Sequence, residues 1–168
     1  TEVRKIVREA PVVSKTLIEI KKGVRKITNL DTHTHKFQRK TSFRHDYVDL
    51  KDLGVRIGAS LEEKVSGAEY DTKSSPEMSR SRLRSTYRPW KGLKIDFTEV
   101  VEKGSWESCS RKKYEIEIER VSGCVPDVFI DAISTVAEWI RQTPPDVLKP
   151  SGEPQVIEAF NRLFKGRE

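Results

Sequence analysis

Apolar and polar residues alternate with period two through the middle of this chain and give way to helical spacing near its end. Period-two alternation marks β-strands, whose successive side chains point to opposite faces. The clearest case is Tyr114-Glu115-Ile116-Glu117-Ile118-Glu119-Arg120. It sets Glu115, Glu117 and Glu119 on one face, roughly 7 Å apart, and Ile116 and Ile118 on the other. Residues 15–21 predict a strand with Leu17, Glu19 and Lys21 opposed to Ile18 and Ile20, and Lys22-Gly23 turns the chain into a second strand over 24–29. Further strands are expected over 36–48 and 55–65; in the latter Arg56, Gly58, Ser60 and Glu62 share one face and Val55, Ile57, Ala59 and Leu61 the other. Residues 66–78, rich in Ser, Gly, Asp and Pro, read as a mobile loop. The strand over 80–87 carries Arg80, Arg82 and Arg84 on one face. After a turn at 89–92, the strand over 93–101 opposes Lys94, Asp96 and Thr98 to Leu93, Ile95 and Phe97, and a loop follows over 104–111. Two helices close the chain. The first is expected to be capped by Asp127, with a stripe of Phe129, Ile133, Val136 and Ile140. After a proline-rich connection over 143–154, the second has Pro154 near its start and presents Val156, Ile157, Phe160, Leu163 and Phe164.

An ordinary antiparallel sheet turns its apolar face to a core and its charged face to water, and for any one of these strands that is the simpler reading. Taken together they argue otherwise, because the charges segregate by strand: one row of glutamates, one row of arginines. A closed antiparallel β-barrel with a charged interior, packed outside by helices, accounts for both faces and leaves no sheet edge. The expected fold is therefore mainly β with α, one domain over 1–168, with the barrel over about 15–120 and the C-terminal helices over about 127–166.

Composition agrees with one domain whose charges serve a site. Of 168 residues, 35% are charged and 35% hydrophobic, lean for a globular core. The net charge of +6 favours an anionic partner, but its mixed signs are not those of a purely basic nucleic-acid-binding tail. Cys109 and Cys124 lack metal-site spacing, which suggests a reduced, intracellular protein. No apolar run is long enough to span a membrane and there is no signal peptide, so no membrane partner is expected. A chain that starts at Thr1 suggests a piece of a longer one. Carboxylates in a row suit a hard divalent cation, and arginines opposite them suit a polyanion, which together are what phosphoryl transfer needs.

Four ordered stretches carry a resemblance: Val55-Arg56-Ile57-Gly58-Ala59-Ser60-Leu61-Glu62, Arg80-Ser81-Arg82-Leu83-Arg84-Ser85-Thr86-Tyr87, Lys94-Ile95-Asp96-Phe97-Thr98-Glu99-Val100, and Tyr114 to Glu119. Over about the central half of the chain this set resembles the fungal and protist type of RNA 5′-triphosphatase, the tunnel-fold metalloenzyme of mRNA capping. The resemblance implies Mn²⁺ or Mg²⁺ as cofactor, with Glu119 a direct ligand, Glu117 sharing the metal site, and Glu115 and Glu117 holding metal-bound or nucleophilic water. It implies Glu62 as a further carboxylate near the nucleophile, Arg82 and Arg84 on the γ-phosphate, and Asp96 holding a metal-bound water beside Thr98. Arg80, Lys94 and Arg56 match accessory basic positions; Arg25 matches the other phosphate-binding arginine, followed by Arg39 and Lys40 as tunnel residues. The family's first strand reads Glu-x-Glu-x-Lys-x-Gly. Here Glu19, Lys21 and Gly23 match its second half while Leu17 stands where the first glutamate belongs, so the resemblance implies Glu19 as the N-terminal metal ligand, with Glu2, or the lack of a ligand there, as the alternatives.

The expected activity is removal of the γ-phosphate from the 5′-triphosphate end of nascent RNA, with nucleoside triphosphates also hydrolysed. Expected partners are that RNA end and an mRNA guanylyltransferase, with self-association into a homodimer left open, in the nucleus if the source is eukaryotic. Two other functions fit the same barrel: hydrolysis of a small triphosphate such as thiamine triphosphate or tripolyphosphate, and non-catalytic binding of RNA or a phosphorylated ligand. His33, His35 and His45 read as surface residues, and Trp90, Trp106 and Trp139 as turn, loop and core residues.

Overall fold

The computed structural model describes residues 11–42, 48–53, 55–70, 72–143 and 153–165. Its strands are β1 (Val12–Lys21), β2 (Val24–Asn29), β3 (His35–Ser42), β4 (Val48–Leu50), β5 (Val55–Ile57), β6 (Ser60–Lys64), β7 (Met78–Trp90), β8 (Leu93–Gly104) and β9 (Arg111–Arg120), followed by helices α1 (Pro126–Gln142) and α2 (Glu153–Lys165). Seven strands form one sheet in the order β6-β3-β2-β1-β7-β8-β9, and β4 and β5 form a separate pair. Among the described residues no ladder joins β6 to β9.

Turn chemistry sets the hairpins. Lys22 and Gly23 both have positive φ, 47° and 77°, the conformation a tight two-residue hairpin requires. β1 and β2 then pair antiparallel, Glu19 opposite Lys26 and Ile20 opposite Arg25. β2 pairs with β3, Arg25 opposite Gln38, and β3 with β6, Lys40 opposite Glu62. β7 and β8 are joined by Lys91-Gly92, with Gly92 at φ 72°.

The strand expected over 55–65 is broken. Gly58 and Ala59 separate β5 from β6, and β5 pairs with β4 rather than joining the large sheet. The strand expected over 36–48 ends at Ser42, and residues 43–47, including His45, lie outside the described residues. Residues 66–78 are not simply loop: Ser66 caps a short 3₁₀ turn, Gly67–Glu69, and Tyr70 behind it is buried. Asp127 does not cap α1; Val125 holds the cap position without a side-chain bond and Pro126 opens the helix, where its missing N–H costs nothing.

The chain divides into two compact units, one built from residues 84–99 and 114–168 with the N-terminal 1–13, the other from 14–83 and 100–113. In the first, Leu93, Ile95 and Phe97 on one face of β8 pack with Val128, Ala132 and Val136 of α1 and Val156, Phe160 and Phe164 of α2. Trp90 stacks on Phe164 at 5.1 Å between ring centres, and Tyr114, Ile116 and Ile118 of β9 pack against the same core. The apolar faces of these strands are thus covered by the helices. In the second unit Ile18, Val24, Tyr70 and Val100 are buried, whereas Leu83 and Val101, on the apolar parity of β7 and β8, are 43% and 37% exposed. No helix among the described residues is long and apolar enough to cross a membrane.

Candidate active site

Across β8 from the helix-covered core, the polar face is enclosed as well. Asp96 is 2% exposed and Thr98 is fully buried. A carboxylate at that depth needs compensation, and three donors supply it. Arg84 Nη1 lies 3.3 Å and Lys94 Nζ 3.5 Å from Asp96 Oδ2, and Thr86 Oγ1 donates to Oδ1 at 2.6 Å. Arg84 spreads its other nitrogens, Nε donating to Thr98 Oγ1 at 3.0 Å and Nη2 to Glu117 Oε2 at 2.6 Å. Lys94 Nζ meets Glu119 Oε2 at 2.5 Å. Burial pulls the Lys94 ammonium down, but the hydrogen bond it donates to Glu119 and the charge of Asp96 outweigh it, and its pKa ends above the usual value. Seven side chains from three neighbouring strands, each on the polar parity, therefore form one cluster around a buried aspartate. Thr86 is the member that sequence reasoning missed. Its spacing, two residues after Arg84 on the same strand face, is the signal that could have found it.

The second unit has a network of its own. Arg80 Nε contacts Glu102 Oε2 at 3.1 Å, and Glu102 also meets Lys113 at 3.4 Å and Arg111 at 3.6 Å. Glu102 was not singled out from sequence either, although it continues the 94-96-98 parity of β8. Arg82 Nε lies 3.4 Å from Thr16 Oγ1. Burial lowers the Arg25 pKa and the nearby charge of Arg80 lowers it further, while Glu62 opposes both. Glu62 accepts from Gln38 at 2.9 Å and lies 3.9 Å from Lys40 Nζ. Arg25, Gln38, Lys40 and Glu62 thus share one sheet face.

Register sets several of the expected tunnel residues on different faces. Ile20 pairs with Arg25 and Glu19 with Lys26, so Glu19 and Arg25 stand on opposite faces of the β1–β2 pair. On the Glu19 face, Lys21 Nζ lies 4.6 Å from the centre of the Tyr70 ring, and Glu19 raises the Tyr70 pKa in addition to the larger effect of burial. Arg39 alternates away from Lys40 and pairs with Glu69 at 3.2 Å. Arg56, on β5, holds Asp49 through two nitrogens at 2.6 and 3.0 Å and so belongs to the small two-stranded pair. Glu115 lies on β9 in step with Glu117 and Glu119 and is half-buried. Glu2 lies outside the described residues.

For a divalent metal the donors fit in kind. Glu117 and Glu119 are hard oxygen ligands on one strand face, 50% and 54% exposed, and so reachable. Both are engaged by cations, and among the described residues no group of three or more His, Cys, Asp or Glu stands close enough to hold a metal. A cation at Glu117 or Glu119 would therefore exchange places with an Arg84 or Lys94 contact.

No family model and no curated protein sequence matches the chain. Among solved structures it is similar to the Pct1 RNA triphosphatase of S. pombe, with a TM-score of 0.58 at 16% identity over 84% of this chain and 63% of that one. It is also similar to the Mimivirus capping enzyme triphosphatase, with a TM-score of 0.55 at 14% identity over 84% of this chain and 81% of that one. The chain thus spans less than two thirds of the S. pombe protein. At these identities the likeness is one of fold, shared with these two triphosphatases.

Proposed function

We propose that this chain is a metal-dependent RNA 5′-triphosphatase, which hydrolyses the γ-phosphate of a triphosphate-ended RNA to leave a diphosphate end and inorganic phosphate. The observation that carries the reading is the interleaved cluster on β7, β8 and β9: Arg84 and Lys94 set between Asp96 and the half-exposed Glu117 and Glu119. The likeness of fold to two RNA triphosphatases supports it.

Asp96 orients the two cations from behind, and because it is buried it stays their partner when substrate arrives. The γ-phosphate oxygens take over the positions that Glu117 and Glu119 hold on Arg84 and Lys94. Arg82 and Arg80 continue the same parity of β7. Freed from their cations, Glu117 and Glu119 become the carboxylates that would hold Mn²⁺ or Mg²⁺, which supplies charge neutralisation at the phosphate when bound. Glu115 and Glu117 orient the attacking water in line with the departing diphosphate oxygen, and Arg84 and Lys94 offset the charge that spreads over the transferred group. In the second unit Glu62, Lys40 and Arg25 form a further carboxylate–cation set on one face. An mRNA guanylyltransferase would consume the diphosphate end.

Phosphate release from triphosphate-ended RNA, tripolyphosphate and thiamine triphosphate, each titrated with Mn²⁺ and Mg²⁺, tests this. The expected result is metal-stimulated release with the highest kcat/KM on RNA. Higher kcat/KM on a small triphosphate would reassign the substrate, and RNA binding without release at any metal concentration would overturn catalysis.

A further inference from the structure

Of the three tryptophans, one serves neither the core nor the cluster. Trp106, in the loop between β8 and β9, is 75% exposed, whereas Trp90 stacks on Phe164 and Trp139 packs against the core. The loop that carries it is built rather than slack. Gly104 N donates to Glu107 Oε2 at 2.9 Å, Glu107 N to Gly104 O at 3.1 Å, and Ser105 N to Glu77 O at 3.0 Å. Glu107 is also tied to Arg111 at 3.2 Å. A Cβ added at Gly104 would stand 3.2 Å from two atoms of the indole, so the ring rests against this glycine and leaves the rest of its surface to solvent. The surroundings are basic: Lys103, Arg111, Lys112 and Lys113 against Glu102 and Glu107 between residues 102 and 113. Arg111 and Lys113 contact Glu102, the carboxylate that also holds Arg80 of the basic row.

An exposed indole seated on a firm loop beside cations is what single-stranded nucleic acid binds. Every base has a π-face, and the backbone phosphates meet the neighbouring positive charge. We propose that Trp106 is a stacking platform for a base of the single-stranded RNA substrate, with Arg111, tied to Glu107 of the same loop, meeting an adjacent backbone phosphate. This rests on the triphosphatase reading and deepens it: the platform gives a triphosphate attached to RNA an advantage over a bare one. Trp106 is a positioning residue that acts on the RNA and not on the reacting atoms.

The test uses the whole chain with Trp106→Ala and Trp106→Phe. Binding is read by fluorescence polarisation of a short single-stranded RNA with either a 5′-triphosphate or a 5′-hydroxyl end. Turnover is read by phosphate release from the triphosphate RNA and from tripolyphosphate. Trp106→Ala is expected to weaken binding of both RNAs by about ten-fold or more and to raise KM for RNA correspondingly, by a factor well above any change with tripolyphosphate. Trp106→Phe should recover most of the loss, because a smaller ring still stacks. RNA affinities within about two-fold of the unaltered chain, equal losses on RNA and tripolyphosphate, or no RNA binding by the unaltered chain would each overturn the platform. Binding that depends on Trp106 without any phosphate release would keep the platform and overturn the enzyme.

Discussion

Arg84 reaches three neighbours with three different nitrogens: Asp96 from Nη1, Glu117 from Nη2 and Thr98 from Nε. A lysine has one ammonium at the end of a flexible stem and cannot make that fan. Arg84→Ala should lower kcat/KM for triphosphate RNA about 100-fold or more, the scale of losing one preorganised donor to a developing charge. Arg84→Lys should recover little, and equal kcat/KM in all three forms would remove Arg84 from the site. Glu117→Ala and Glu119→Ala should each abolish phosphate release even at saturating Mn²⁺; near-normal release by either would remove that carboxylate. Asp96 differs from these because it is buried. Asp96→Asn removes the counter-charge that Arg84 and Lys94 share while each keeps its glutamate, so a stability loss of about 1–3 kcal/mol is expected alongside lost turnover, read from urea unfolding. The sequence marked Asp96, Arg84, Lys94, Glu117 and Glu119 by strand parity together with the ordered motifs that carry the resemblance. It did not mark Thr86 or Glu102, whose partners are chosen across strands, and it set Glu19 in the same tunnel as Arg25 although the register turns them apart.

Two hairpin glycines look alike in sequence, each following a lysine, yet they meet different surroundings. Gly23 has φ 77° and nothing within 4 Å of an added Cβ. Gly92 has φ 72° and would drive its Cβ to 2.3 Å from the backbone nitrogen of Cys124. Gly23→Ala should therefore cost only the left-handed strain, about 1–2 kcal/mol. Gly92→Ala should cost clearly more, because the segment leading into α1 must move; Val121 N donates to Gly92 O at 2.7 Å and ties the two together. Urea unfolding of both variants checks the order, and equal losses would contradict it. At this scale strands and helices were legible because each has one strong period. The break at Gly58-Ala59 was not, since alternation continues through it and only pairing with β4 shows that β5 has left the sheet.

Helix α2 joins the sheet through a polar contact as well as its apolar stripe. Tyr87 Oη donates to Glu153 Oε1 at 2.5 Å, and Tyr114 Oη to Oε2 at 3.5 Å. Burial raises both phenols well above the ordinary value, and the Glu153 charge adds to it. A raised phenol binds its proton in the folded state after the unfolded chain has released it, so stability is fully present below about pH 10 and falls as pH rises beyond it. Tyr114→Phe should flatten that alkaline fall, and an unaltered slope in urea unfolding between pH 9 and 11, on the order of that titration, would show that Tyr114 is not responsible. By itself the sequence determined which residues alternate, which faces carry charge and in what order the motifs run, because strand parity and helix spacing are local properties of the chain. Only the tertiary structure decided that the polar face of β8 is enclosed, that Asp96 is the buried centre of its cluster, and which faces of β1, β3 and β5 the remaining charges occupy. Those depend on register and on which strands become neighbours, and a one-residue shift in either turns every side chain to the other face.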